Sequence, residues 1–231
     1  MLPGIVSDQE DQDAQRVDIA LEAMEDSDFS TAERVLLKVA QRAPGNYQSI
    51  VETADAIYVK SWGVDDFSMM ADRHTASGDP RPMLALRNAY PRACYYLAFL
   101  YIEQGQIAEA GKWLDVGLRL EPDDPRMLLE RALVCSEVGD LSGATRLYEK
   151  VFGLGESAPV EYRAAALRAL GWILADTGEL DRAEMCFLES QSLESGNEVA
   201  DQGLSYVISR RAGGPVRSRM IAVTNHGRIE G

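Results

Sequence analysis

The stretch GQIAEAGKWL, Gly105–Leu114, decides the fold. A glycine interrupts a helical period, an apolar residue (Ile107) follows two places on, and an alanine (Ala110) comes three places after that. The same spelling returns as GDLSGATRLY from Gly139 and as GELDRAEMCF from Gly178, with a worn copy, SDFSTAERVL, from Ser27. Gly105 to Gly139 is 34 residues, and Gly139 to Gly178 is one such unit plus five. Repetition at this period marks helix pairs that stack because none can bury its apolar face alone.

Placing the glycine at position fifteen gives three tandem blocks, 91–124, 125–158 and 164–197, and a fourth, worn block, 13–46. Residues 159–163, PVEYR, are the insertion. Position eight holds Ala20, Ala98, Ala132 and Gly171, and position twenty holds Ala32, Ala110, Ala144 and Ala183. The smallest side chains thus recur where two antiparallel helices would cross closest, and larger ones would hold the axes apart. Bulky partners stand between: Leu97 and Leu170 at seven, and Leu36, Leu114, Tyr148 and Phe187 at twenty-four. The glycine ends the first helix by taking a left-handed conformation. Asp28, Asp140 and Glu179 follow it, with Gln106 in the remaining block. There the helix dipole favours negative charge. Pro44 and Pro122 stop second helices, while Asp124 caps the next one with Pro125 as its first residue.

This pattern resembles the tetratricopeptide repeat (TPR), closely so in the three central blocks. Cys94 and Leu128 replace the tryptophan usual at position four, and Val39, Val151 and Ser190 stand where alanine is usual at twenty-seven. The resemblance implies an all-α, right-handed superhelix of antiparallel helix pairs. The expected plan is an acidic N-terminal segment (1–12), a solenoid (13–212) ending in a capping helix (198–212), and a flexible basic tail (213–231). Within 47–90, Ile50, Ala54, Ile57 and Tyr58 have helical spacing, so YQSIVETADAIYVKSW is predicted to be a helix. DDFSMMA (Asp65–Ala71) echoes SDFSTAE (Ser27–Glu33), so 47–90 is expected to be a degenerate repeat with a loop at SGDPRP (Ser77–Pro82). An excursion folding over the groove is the other reading of this stretch. Together with the downstream YPRACYYLAFLYIEQG, it also resembles bacterial members of the family.

The resemblance further implies that the first helices line a concave face through positions 2, 5, 6, 9, 12 and 13. The candidate partner-binding residues are therefore Arg92, Tyr95, Tyr96 and Phe99, then Arg126 and Glu130, then Arg168 and Trp172, with Tyr206 from the capping helix. Solvent-facing aromatics are costly unless covered, and Tyr, Trp and Arg dominate interface energies. Packing between neighbouring repeats is the alternative role for Tyr95, Phe99 and Trp172. A lining that mixes arginines with acids suits an amphipathic or extended segment. The lysine and asparagines by which TPR co-chaperones hold an acidic C-terminus are replaced by Tyr95, Tyr96 and Phe99, then by Leu129, Glu130 and Leu133.

The net charge of −14 argues against nucleic acid. From Ser209 onward, Arg210, Arg211, Arg217, Arg219 and Arg228 stand against Glu230 alone, giving +4 and leaving −18 on the rest. Such a tail can dock on an acidic surface. No apolar run is long enough for a membrane span, and MLPGIVSDQEDQD lacks a positive n-region, so neither membrane insertion nor secretion is expected. Cys94, Cys135 and Cys186 form no CxxC and read as buried thiols of a reducing cytoplasm. With only His74 and His226 and no HExxH, GxSxG, P-loop or GxGxxG, no catalysis, metal or cofactor is expected. The reading is a protein–protein interaction module, an adaptor or scaffold that takes a peptide or helix in its groove. A dedicated chaperone or immunity-type partner of one secreted protein is an alternative. A module that self-associates by placing its tail in a neighbour's groove is another.

Overall fold

The computed structural model describes residues 8–216. They form two compact units that part between Pro122 and Asp123. The first unit holds helices α1 (Asp8–Glu25), α2 (Phe29–Ala40), α3 (Val64–Ser77), α4 (Tyr90–Glu103) and α5 (Ile107–Leu120). It also holds strands β1 (Ile50–Glu52), β2 (Ile57–Ser61) and β3 (Met83–Arg87). The second unit holds α6 (Pro125–Glu137), α7 (Leu141–Gly153), α8 (Val160–Thr177), α9 (Leu180–Leu193) and α10 (Glu198–Arg211).

The repeated columns do what their size dictates. Every alanine at positions eight and twenty is fully buried. At the one glycine among them, Gly171, an added Cβ would come within 2.9 Å of the Phe187 ring. Gly105, Gly139 and Gly178 take φ of 72°, 81° and 93°, the left-handed turn that lets the chain double back. In the worn copy this conformation falls on Ser27, at φ 62°. Carboxylates cap the helices that follow. Asp28 accepts from the Thr31 amide at 3.1 Å, Asp140 from Gly143 at 2.8 Å and Asp124 from Met127 at 3.0 Å. The inserted PVEYR lengthens α8 at its start, to 18 residues.

Residues 47–90 correct the sequence reading. The predicted helix over Tyr47–Trp62 is instead the β1–β2 hairpin, and the degenerate repeat is instead a β-β-α-β unit. Residues 50–61 are rich in β-branched side chains, and Thr53 supplies a tight turn. Its Oγ1 accepts from the Ala56 amide at 3.0 Å while its own amide donates to the Ala56 carbonyl at 2.9 Å. β1 runs antiparallel to β2 in the register Ile50↔Val59, and β3 runs parallel to β2 in the register Ile57↔Met83. Central β2 is buried from Ile57 to Lys60, so its apolar residues carry no clean alternation to read. α3 links β2 to β3 and has no buried residue. The predicted Ser77–Pro82 loop is present between α3 and β3.

The N-terminal boundary also moves. The acidic segment assigned to 1–12 is helical from Asp8, and Glu10 is buried against Lys60 of β2 at 2.7 Å. Asp11 and Asp18 both reach Arg87 of β3 at 3.3 Å. These acids are therefore ties between α1 and the sheet. The rest of that segment, 1–7, lies outside the described residues, as does 217–231 of the tail. Arg211, one of the arginines counted from Ser209 onward, lies in α10 and pairs with Asp181 and Glu184 of α9 at 2.6 and 2.8 Å.

Candidate protein-binding surfaces

In the first unit, α4 presents the adjacent Tyr95 and Tyr96, with Phe99 about one helical turn further on. The two tyrosine rings meet edge to face at 5.2 Å. Trp62, just after β2, packs on both, at 5.3 Å from Tyr95 and 6.4 Å from Tyr96. Edge-to-face contacts of this kind fix ring orientation without fully covering the rings. Tyr95, Tyr96 and Trp62 remain half-buried, and Phe99 is 37% exposed.

The indole is held from behind. Trp62 Nε1 donates to Glu121 Oε2 at 3.0 Å, and Asn88 Nδ2 donates to the other oxygen, Oε1, at 2.6 Å. Tyr47 lies in the same polar layer, with Lys60 Nζ 4.4 Å above its ring. Burial, followed by the nearby Glu121 carboxylate, pushes the Tyr47 phenol well above its ordinary range. Arg92, predicted to line the groove, is buried. Its Nη2 donates to Asp18 Oδ1 at 2.9 Å and its Nη1 to the Asn88 carbonyl at 3.4 Å. It fastens α4 to α1 and is withdrawn from the surface.

The second unit spends most of its predicted residues on its own packing. Trp172 is 6% exposed, wedged 5.3 Å from Phe187 and 5.4 Å from Tyr206. Tyr206 in turn donates to Asp176 Oδ1 at 2.6 Å. Arg168 is buried and donates to Ser190 Oγ and to the Glu194 carboxylate on α9. Glu130 is buried in α6. Arg126 is half-buried and closes on Asp124 at 2.6 Å. The structure therefore gathers Tyr95, Tyr96 and Phe99 on one surface, and burial removes Arg92, Glu130, Arg168 and Trp172 from theirs. Sequence reasoning missed Trp62 as a member of the aromatic group, because it stood at the end of a predicted helix.

Among the described residues, no three His, Cys, Asp or Glu side chains are grouped to hold a metal ion, and no helix is long and apolar enough to cross a membrane. Burial pushes the Cys94 thiol up to about 12 and the Cys186 thiol up to about 11, which keeps both protonated and unreactive near neutral pH. His74, the one histidine described, lies with Nε2 2.7 Å from the Arg81 carbonyl.

No curated protein matches the chain in sequence. Among solved structures, the MamA protein is similar over 87% of this chain and 82% of its own, at 15% identity and a TM-score of 0.58. A tetratricopeptide repeat protein from Parabacteroides merdae ATCC 43184 is similar over 87% of this chain and 61% of its own, at 14% identity and a TM-score of 0.61. Residues 81–133 match the model of the family described as tetratricopeptide repeat. With its turn glycines, its buried alanine columns and these likenesses, the chain is an all-α protein of the tetratricopeptide-repeat fold that carries one small sheet in its first unit.

Proposed function

We propose that this chain is a protein-interaction module whose docking surface is the aromatic face of α4 in the first unit, and that it acts as an adaptor or scaffold. The carrying observation is the group Trp62, Tyr95 and Tyr96, oriented by mutual ring contacts and only half-buried, with Phe99 exposed on the same helix. Rigid aromatics bind at little entropic cost and are the residues that most often anchor interfaces. A short helix or extended peptide with aliphatic anchors suits this surface, since Arg92 is already neutralised by Asp18 and offers no free cation for an acidic terminus.

The test is selection of binders from a displayed library of short peptides. Tyr96→Ala combined with Phe99→Ala should lower the affinity of the selected peptides at least tenfold while the circular dichroism spectrum stays unchanged. Selected peptides that bind the double variant as tightly as the parent would place the docking surface elsewhere.

A further inference from the structure

Among the described residues β3 is an edge strand, because the sheet order is β1-β2-β3 and β3 pairs there with β2 alone. The ladder fixes which of its backbone groups are used. Ile57 donates to the Pro82 carbonyl at 3.0 Å and Asn88 donates to the Ser61 carbonyl at 3.0 Å. The even-numbered residues of this segment thus face β2. Met83, Ala85 and Arg87 turn their N–H and C=O groups outward, and no described residue gives them a backbone partner. Edges are normally blunted by proline, lysine, a bulge or a covering segment. Inside Met83–Arg87 there is no proline or lysine, and Leu84 is 41% exposed. The one charge, Arg87, is held by Asp11 and Asp18.

A second open surface adjoins this edge. α3 lies beside β2 and β3, yet none of Val64, Phe67, Met69 and Met70 is buried, and Val64 is 80% exposed. A helix of 14 residues draws most of its stability from packing its apolar side, and here that side is only partly covered, with Phe67, Met69 and Met70 half-buried. An open edge and a half-covered helix next to it together offer one continuous surface to a partner of matching form.

We propose that the partner is a second copy of this chain, the two β3 strands pairing antiparallel about a two-fold axis through Ala85. The register is self-consistent. Ala85 faces Ala85, Met83 faces Arg87, and all three outward-turned residues find hydrogen-bonding mates, while Leu84 packs against Leu86 between them. No like charges are opposed, and the smallest side chain stands on the axis. The paired sheet becomes six-stranded, its two α3 helices lie on the same side of it, and the edge is abolished. This association is independent of the peptide-docking surface on α4.

The test uses the full chain in sedimentation velocity and light scattering. The wild type should run at twice the mass of one chain. Ala85→Pro should run at the mass of one chain with an unchanged circular dichroism spectrum, because the Ala85 N–H does not serve β2 and proline is tolerated at such an edge position. Should Ala85→Pro misfold, Leu84→Lys on the same strand supplies the equivalent readout. Ala85→Cys should form a disulfide-linked dimer on mild oxidation, since facing residues of a hydrogen-bonded pair lie about 5.5 Å apart at Cα, within disulfide reach. The native cysteines are buried and give no background. A wild type at single-chain mass across a wide concentration series would overturn the proposal, including the case in which a foreign segment occupies the edge. So would a dimer that survives Ala85→Pro, or one that Ala85→Cys fails to cross-link.

Discussion

α4 in the first unit and α8 in the second carry the same columns of the repeat but put them to different use. Positions five, six and nine are Tyr95, Tyr96 and Phe99 in α4, and Arg168, Ala169 and Trp172 in α8. In α8 the ninth position is sealed, because α9 brings Phe187 and α10 brings Tyr206 against the indole. In α4 the neighbour is the loop after β2, whose Trp62 braces the tyrosines and leaves Phe99 exposed. A column position in such a repeat is therefore defined by what the next element lays over it. An aromatic residue alone does not mark a surface.

The strongest way to break this contrast is Phe187→Ala. The ring sits where a Cβ on Gly203 would meet it at 2.3 Å and one on Gly171 at 2.9 Å, so its removal leaves a void that the helices cannot easily close. A loss of about 3–5 kcal/mol is expected, read by denaturant unfolding. Hydrogen exchange should show α8–α10 losing protection while β2 keeps its own. Equal loss in β2 would mean that the two units do not respond separately.

The thiols sharpen the contrast through pH. Both are raised by burial above the ordinary 9.0, Cys94 to about 12 in the first unit and Cys186 to about 11 in the second. The unfolded chain releases these protons near pH 9 while the folded chain retains them. Their contribution is therefore complete below pH 9 and is lost as pH climbs through 11 and 12. Thermal melts should show stability declining from about pH 9 upward. Thiol modification of the folded protein at alkaline pH should reach Cys186 before Cys94, and the reverse order would contradict the burial.

The smallest effect concerns the worn copy. Ser27 holds a left-handed conformation that costs a non-glycine residue about 1–2 kcal/mol. Ser27→Gly should raise stability by up to about 1 kcal/mol once the greater freedom of glycine in the unfolded chain is set against it. A destabilised variant would mean that the serine side chain has a role of its own in that turn.

The helix pairs were legible because their signals are local and repeated. Gly105, Gly139 and Gly178 mark the turns, Asp124 and Asp140 the starts, and Ala98, Ala110, Ala132 and Ala144 the crossings. The sheet was not legible for a physical reason. Ile50, Ile57 and Tyr58 satisfy a helical period by spacing, yet β2 is buried on both faces and so lacks the alternation that betrays a half-exposed strand. Nor do the columns reveal that Arg92 is claimed by Asp18, 74 residues away, or Arg168 by Glu194. Tyr95, Tyr96 and Phe99 could be named from their positions, but Trp62 joins them only once the hairpin exists.

The ties between α1 and the sheet bear on how the molecule assembles itself. Lys60 must find Glu10 and Arg92 must find Asp18 across long stretches of the first unit, the second pair 74 residues apart, whereas each helix pair closes over a short turn. Long-range closure slows the search for the native state, and local closure speeds it. On refolding of the full chain, the helical half should thus be complete early. The sheet-bearing half is fastened last, and its strand edge is the surface that stays bare longest.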